Sequence, residues 1–340
     1  MRIWVVGGAG YIGSHVCKAL RRAGFEPVVF DNLSTGSREN IAPETLFREG
    51  DILDTQALLK TAREFRFDGV VHLAALKAPE ESMRNPELYS RNNIIGTLNL
   101  LQAVLETGIP HFVFSSTAAV YGTPEYLPVD EKHPTHPENY YGYTKLAIEG
   151  FLEWYGRLKG LKYGCLRYFN AAGYDPDGEI QGLEQHPVNL LPVVMETAMG
   201  WRPKLQIFGD DYPTRDGTCV RDYIHVTDLA AAHVAALEDL RKGGESFTLN
   251  LGTGFGITVK EMLHKAQEIT GRPIPFEITG RRPGDTATVI ASSAEAKARL
   301  GWVARHSDPD TLLRSTWKAY QAHEAVSSNR SRDRHPLARS

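Results

Sequence analysis

The sequence predicts a doubly wound parallel α/β fold with a second, smaller α/β domain, and three observations carry that prediction. Short apolar runs alternate with segments of helical periodicity through the first 170 residues, as expected of strands buried on both faces and joined by crossover helices. The first run leads into a glycine-rich turn, Gly7-Gly8-Ala9-Gly10-Tyr11-Ile12-Gly13, and the second ends in Asp31. Past residue 170 that organisation changes.

Ile3-Trp4-Val5-Val6 predicts a buried strand over 3–6. A helix is expected over 14–23, ended by Gly24, and a second strand over 27–30. Gly7, Gly10 and Gly13 let the backbone turn sharply and approach a pyrophosphate, whose charge then meets free N–H groups and the positive end of the helix dipole. Strand, glycine turn, helix, strand and acid together predict a Rossmann dinucleotide site, with Tyr11, Ile12 and Asn32 beside the cofactor. The Asp31 carboxylate can accept from both adenosine ribose hydroxyls, whereas a 2′-phosphate there would meet a like charge. At about 5 Å and an effective dielectric of about 20, each unit of repulsion costs about 3 kcal/mol. NAD is therefore expected in preference to NADP.

Strands are predicted over 46–49, 69–73, 111–116 and 162–169, and helices over 54–64, 86–106 and 139–158. Asp51 and Ile52 fall past a strand end, within reach of an adenine. Leu73 ends the next strand beside the cofactor, and Ala74 and Lys77 fall past it, where small residues admit the cofactor and the lysine can bond a ribose hydroxyl. Asn92 and Asn93 sit inside the 86–106 helix, away from any cap, a local conflict that a functional contact would explain. The hydroxyl cluster Ser115-Ser116-Thr117 lies at a carboxyl-terminal strand end, where this architecture places its site.

Tyr141 and Lys145 are four apart and so share a helix face. A phenol of pKa about 10 must drop about 3 units to act as a base near neutrality, and a nearby ammonium and an oxidised nicotinamide are expected to lower it. Tyr155 and Lys159 repeat the spacing in the same helix. They lie roughly 20 Å further along and are read as structural.

Residues 171–185 and 123–137 read as loops. Helices are expected over 188–199, 228–240, 258–270 and 308–323 and near Ala294, with a short strand over 204–208 and another over 247–251 that returns to the main sheet. The expected domains are therefore 1–170 with 224–252 for NAD, and 171–223 with 253–325 for substrate. Residues 326–340 are polar and arginine-containing and read as a disordered tail.

A net charge of −3 offers no basic surface for nucleic acid, and no apolar run nears the roughly 20 residues of a membrane span. Three scattered cysteines without a C-x-x-C pair argue against disulfides and zinc, and no metal is expected. The start lacks a secretory pattern, so a cytoplasmic protein is expected.

Gly7 to Gly13, Ser115 to Gly122, Tyr141 to Lys145, Arg167 to Asn170, Arg221 to Val226 and Arg282 to Asp285 make residues 2–320 resemble the UDP-sugar 4-epimerases of the extended short-chain dehydrogenase/reductase family. The resemblance implies that NAD stays bound while the 4-hydroxyl of UDP-galactose or UDP-glucose is oxidised to a 4-ketopyranose and reduced from the other face. It implies Tyr141 as base, Thr117 as hydrogen-bonding relay and Lys145 as holder of the nicotinamide ribose. Asn92, Lys77 and Tyr168 match cofactor contacts. Asn170, Asn189, Leu190, Arg221, Arg282 and Asp285 would bind the UDP-sugar, the two arginines at its pyrophosphate. Sister dehydratases carry an Asp-Glu pair where Ala118-Ala119 follows Thr117. Val289 stands where members confined to glucose and galactose often have Tyr, which implies acceptance of the N-acetylated sugars UDP-GlcNAc and UDP-GalNAc. A homodimer is implied through the 86–106 and 139–158 helices, with Ala147, Phe151, Trp154, Tyr155 and Leu158 as its apolar surface. Two other readings stay open: a 4-epimerase of UDP-xylose and UDP-arabinose, and a silent NAD-binding sensor or scaffold.

Overall fold

Along the first half of the chain the strands β1 (Arg2–Val6), β2 (Glu26–Asp31), β3 (Leu46–Glu49), β4 (Gly69–His72), β5 (His111–Thr117) and β6 (Lys162–Tyr168) alternate with helices. These helices are α1 (Tyr11–Arg22), α2 (Thr55–Phe65), α3 (Pro79–Arg84), α4 (Pro86–Tyr89), α5 (Gly96–Thr107) and α6 (Tyr140–Lys159). The structure, a computed structural model, describes residues 1–185, 187–282 and 284–333. Beyond β6 come β7 (Asn170–Ala172), α7 (Leu190–Ala198), β8 (Leu205–Phe208), β9 (Val220–Arg221), β10 (Tyr223–His225), α8 (Val226–Arg241) and β11 (Phe247–Leu251). Then follow β12 (Ile257–Thr258), α9 (Val259–Thr270), β13 (Phe276–Thr279), β14 (Thr288–Val289), α10 (Ala294–Leu300) and α11 (Pro309–Asp333).

Among the described residues the main sheet has seven strands in the order β11-β6-β5-β4-β1-β2-β3, and every pairing in it is parallel. Alternate residues of each strand face opposite layers, as a two-residue period requires. Ile3, Val5, Val29, Val71, Val113 and Leu166 pack with α1 and α8. Trp4, Val28, Phe30, Val70, Phe112 and Phe114 pack with α2, α5 and α6. Both faces are thus covered, which is why the strands read as continuous apolar runs. The order turns back between β1 and β4, and at that reversal the strand ends open a crevice.

A second core gathers Leu191, Val194 and Met195 of α7, Leu205 and Ile207 of β8, Met262 and Leu263 of α9, and Leu312 and Leu313 of α11. A capping box holds the start of α9: Thr258 accepts from the Glu261 N–H, and Glu261 accepts from the Thr258 N–H. Val120, Tyr121, Val129, Phe169 and Ala291 form a third apolar cluster where the two sets of elements meet.

Several expectations need correction. α1 begins at Tyr11 and not at residue 14, so the last glycine of the turn already lies inside the helix. The continuous helix expected over 86–106 is two α-helices joined by a π-helical stretch, Ser90–Ile95, and it is there that Asn92 and Asn93 fall. The expected loop 171–185 starts as β7, which pairs in parallel with β10. β13, paired with β8, was not expected, because its partner lies across α9. The last helix runs on to Asp333, through a stretch without Gly or Pro. The rest of the expected tail, 334–340, lies outside the described residues. No helix among the described residues is long and apolar enough to cross a membrane.

Candidate active site

The crevice is built outward from the turn between β1 and α1. Gly7 has φ +87°, and a Cβ on it would lie 2.5 Å from the Ala74 backbone nitrogen, so only glycine permits this contact. A Cβ on Gly13 would fall 2.1 Å from the Gly7 carbonyl oxygen. Gly10 caps α1 without a side chain, and the first N–H groups of the helix, with its dipole, face the turn. The cradle therefore has the close backbone and positive polarity that a pyrophosphate requires, and it fits a dinucleotide.

Asp31 is buried at the end of β2 and accepts from the N–H of Ala9 at 2.9 Å and of Leu33 at 2.8 Å. It fastens the glycine turn, and of its roughly four acceptor positions two stay available for a ribose. Burial pushes its carboxyl above the usual range, while the two backbone N–H groups oppose that shift. The Asn32 side-chain amide donates to Asp51 at 3.0 Å. Ile52 is buried against Gly96. The N–H groups of Leu73 and Ala74 both donate to Val6 O, which draws the chain after β4 over the turn. Lys77 forms an ion pair with Glu184. Asn92 donates to the Asn93 side-chain oxygen at 3.0 Å. The residue that organises this corner is Asn93, which bonds both the N–H and the C=O of Leu76 at 2.9 Å and the Thr144 hydroxyl at 3.2 Å.

Two side chains named from the sequence point elsewhere. The Tyr11 hydroxyl donates to Gly173 O, in the chain that follows β7. Tyr168 is buried in the sheet core with its hydroxyl against His233, because the alternation of β6 turns it toward α8. The next ring, Phe169, turns to the other side and packs beside Val120 and Val289. A two-residue period separates the pair.

Thr117 ends β5; its hydroxyl accepts from Ala119 N at 3.2 Å and stands near enough to the Tyr141 phenol to favour its ionised form. Tyr141 stands in the first turn of α6, whose start is fixed by Asn139 accepting from Gly142 N at 2.8 Å and by Tyr141 N donating to Ser82 Oγ at 3.0 Å. Burial pushes the phenol up to about 12, and Thr117 opposes that rise. Lys145 Nζ donates to Ser115 O at 2.8 Å and lies 4.8 Å from the Phe114 ring and 5.9 Å from the Tyr141 ring. The expected lowering of the phenol by Lys145 is thus not supplied by the chain itself, since the ammonium is aimed at a carbonyl.

Burial also pulls Lys145 down to about 7, against the opposing charge of Glu149. Unfolded, its pKa is about 10.4. Between those values the unfolded chain binds the extra proton, so stability should rise with pH from about 7 to about 10.4, by up to about 1.4 kcal/mol per unit. Urea unfolding at several pH values in that window should show a slope for the wild type that Lys145→Met lacks. Equal slopes would mean that the ammonium is not held in a dry site.

One turn further along α6, Glu149 accepts from Ser116 and pairs with Arg167, both charges being buried. Arg167 also donates to the Tyr121 hydroxyl at 2.8 Å, which donates to Asn250 at 2.7 Å. Glu149 was not singled out from the sequence, although its spacing of four from Lys145 places it on the same helix face.

Opposite this side, Arg221 and Arg282 share Asp285, at 3.4 and 2.9 Å. Arg282 lies 4.5 Å over the Phe208 ring, and Arg221 donates to Thr286 O at 2.8 Å. Asn170 donates to Asp222 O at 2.9 Å. Asn189 is exposed at the cap of α7, followed by the half-buried Leu190. Val289 pairs with Arg221 across the short sheet.

Residues 3–252 match the NAD dependent epimerase/dehydratase family. The chain is 46% identical to a UDP-glucose 4-epimerase of Halalkalibacterium halodurans, over 98% of this chain and 100% of that protein. It is similar to the crystal structure of UDP-glucose 4-epimerase from Brucella ovis in complex with NAD, with a TM-score of 0.91 at 44% identity, covering 94% of this chain and 98% of the other. The UDP-Glc/GlcNAc 4-epimerase of Campylobacter jejuni gives a TM-score of 0.83 at 38% identity, covering 94% and 99%.

Proposed function

Because the chain belongs to the NAD dependent epimerase/dehydratase family, we propose that it is an isomerase that interconverts UDP-galactose and UDP-glucose through a 4-ketopyranose, with NAD as its cofactor. The observation that carries this reading is the contact between Tyr141 and Thr117, set beside the buried Lys145 at the end of β5. When bound, NAD supplies a hydride acceptor and donor, and its positive nicotinamide favours the phenolate.

The residues of the chain divide the remaining work. The Tyr141 phenolate takes the proton of the sugar 4-hydroxyl and returns it, and Thr117 hydrogen-bonds the same oxygen and relays that proton. Lys145 holds the nicotinamide ribose, and Lys77, Asn92, Asp31 and Asp51 hold the rest of the dinucleotide. Arg221 and Arg282 bind the pyrophosphate of the UDP-sugar, oriented by Asp285 between them. Asn170, Asn189 and Leu190 line the remainder of that site. On this reading 1–170 with 224–252 serves NAD and 171–223 with 253–325 serves the UDP-sugar, supported by the separate core of the second set and by the return of β11 to the main sheet, although Ala296 and Trp302 pack into the first core.

Purified protein incubated with UDP-galactose and no added cofactor, with the sugar nucleotides followed by chromatography, should form UDP-glucose. No conversion even after NAD is added would overturn the assignment.

Val289 packs beside Phe169 and Ala291 and leaves more room than a tyrosine would, so turnover of UDP-N-acetylglucosamine is expected as well. Val289→Tyr should lower kcat/KM for that substrate by about tenfold or more relative to UDP-galactose. An unchanged ratio would place the discrimination elsewhere.

The proposed enzyme is cytoplasmic, in keeping with three free, buried cysteines. It is proposed to be a homodimer through α5 and α6, where Trp154 is 58% and Leu158 is 70% exposed. Sedimentation at the mass of two chains checks this.

A further inference from the structure

Between β7 and α7 the chain runs along the outside of the dinucleotide cradle. Gly173 O accepts from the Tyr11 hydroxyl, and the Tyr174 ring packs 5.2 Å from Tyr11 and 6.5 Å from His15. Lys18 pairs with Asp175 and with Asp177 at 2.8 Å. Arg22 pairs with Asp177 at 2.9 Å and with Glu179 at 2.6 Å. Positions 11, 15, 18 and 22 share one face of α1, so 173–179 lies lengthwise on the helix whose start forms the cradle. Asp175 stiffens this stretch from within by accepting from the N–H groups of Asp177, Glu179 and Ile180.

The chain then crosses. Gly182 sits so close to Asn40 that a Cβ would lie 2.0 Å from the Asn40 side-chain oxygen. Asn40 in turn donates to Ala9 O, within the glycine turn, at 3.2 Å. Two residues later Glu184 pairs with Lys77, just past the Ala74 backbone that packs on Gly7. Two residues span at most about 7 Å, so 182–184 passes directly from one flank of the turn to the other. The Glu184 side chain is only 10% exposed and its N–H is held by the Tyr174 hydroxyl at 3.0 Å, while Lys77 is 53% exposed. The acid is preset on the crossing segment and the lysine reaches over to it.

We propose that 173–184 is a strap across the mouth of the dinucleotide cradle and that Glu184 is its clasp, a positioning residue that sets how slowly bound NAD leaves. The inference rests on the proposed NAD-dependent function and deepens it. An epimerisation has no net redox change, so the same nicotinamide must remain for both halves of the cycle, and loss between them would strand an oxidised sugar. A strap tied along α1 and closed by one ion pair supplies that retention without touching the reacting atoms.

The test is release of labelled NAD from loaded protein into excess unlabelled NAD, read by filtration. E184Q should release label roughly fivefold faster or more at about 0.05 M salt. Raising the salt to about 0.5 M should speed the wild type toward the variant and leave E184Q nearly unchanged. E184D should restore slow release. G182A, whose new methyl must displace either the strap or the Asn40 amide that ties it to Ala9, should release quickly with every charge in place. Equal release from wild type, E184Q and G182A would overturn the strap while leaving the function standing. Wild-type protein that takes up no NAD at all would overturn the function and the strap with it.

Discussion

Tyr141→Phe should lower kcat for UDP-galactose by about a thousandfold, within the usual range for loss of a general acid–base group, while NAD content stays at the wild-type level. The hydroxyl is the only part of the side chain that changes, and the ring still packs 5.9 Å from Lys145. The start of α6 does not depend on it, because Asn139 and Ser82 hold that turn through backbone N–H groups. The measurement is initial rate by chromatography beside nucleotide content of the denatured protein. A variant that keeps more than about a tenth of the wild-type rate would remove Tyr141 as the base and shift the role to Thr117. A variant that loses both rate and NAD would point to a structural part for the hydroxyl.

Breaking the ion pair beneath the site should have the largest effect on stability. Arg167→Leu leaves Glu149 buried and charged with, among the described residues, only Ser116 as a side-chain hydrogen-bond partner, and Glu149→Leu leaves Arg167 likewise against Tyr121. Each single change should cost about 3–5 kcal/mol in urea unfolding, because an uncompensated buried charge remains. The double variant should recover much of that loss, since two apolar side chains of similar volume ask for no partner. Single losses below about 1 kcal/mol would mean that water reaches the pair. Activity should fall in the single variants too: Ser116, a partner of Glu149, adjoins both the carbonyl that holds Lys145 and Thr117.

The spacing of Tyr141 and Lys145 recurs in Tyr155 and Lys159, and the structure separates the pairs as their positions along α6 had suggested. Tyr155 packs against the core beneath the sheet, and Lys159 is exposed at the last residue of the helix. The glycine turn, Asp31 at the end of β2 and the hydroxyls at the end of β5 were legible for the same reason. Each is a local relation, within one strand or a few turns of one helix, where a period of 2 or 3.6 residues fixes which side chains are neighbours.

Direction and distance were a different matter. That Tyr168 turns to His233 on α8, and Phe169, just past β6, packs beside Val289 of β14, follows from which elements cover each side of the sheet end, and no residue of β6 states that alone. The kinship of residues 3–252 to the NAD dependent epimerase/dehydratase family, the parallel sheet and the pairing of Tyr141 with Lys145 on one helix face were determined by the sequence itself, because short-range pattern and a few side chains suffice to specify them. The sharing of Asp285 by Arg221 and Arg282, the closure of Lys77 on Glu184 and the burial of Glu149 against Arg167 were decided by tertiary structure. These partners lie as many as 107 residues apart, on loops, on the short β9 strand and on α6 against β6, and only the packing of those elements brings them within reach.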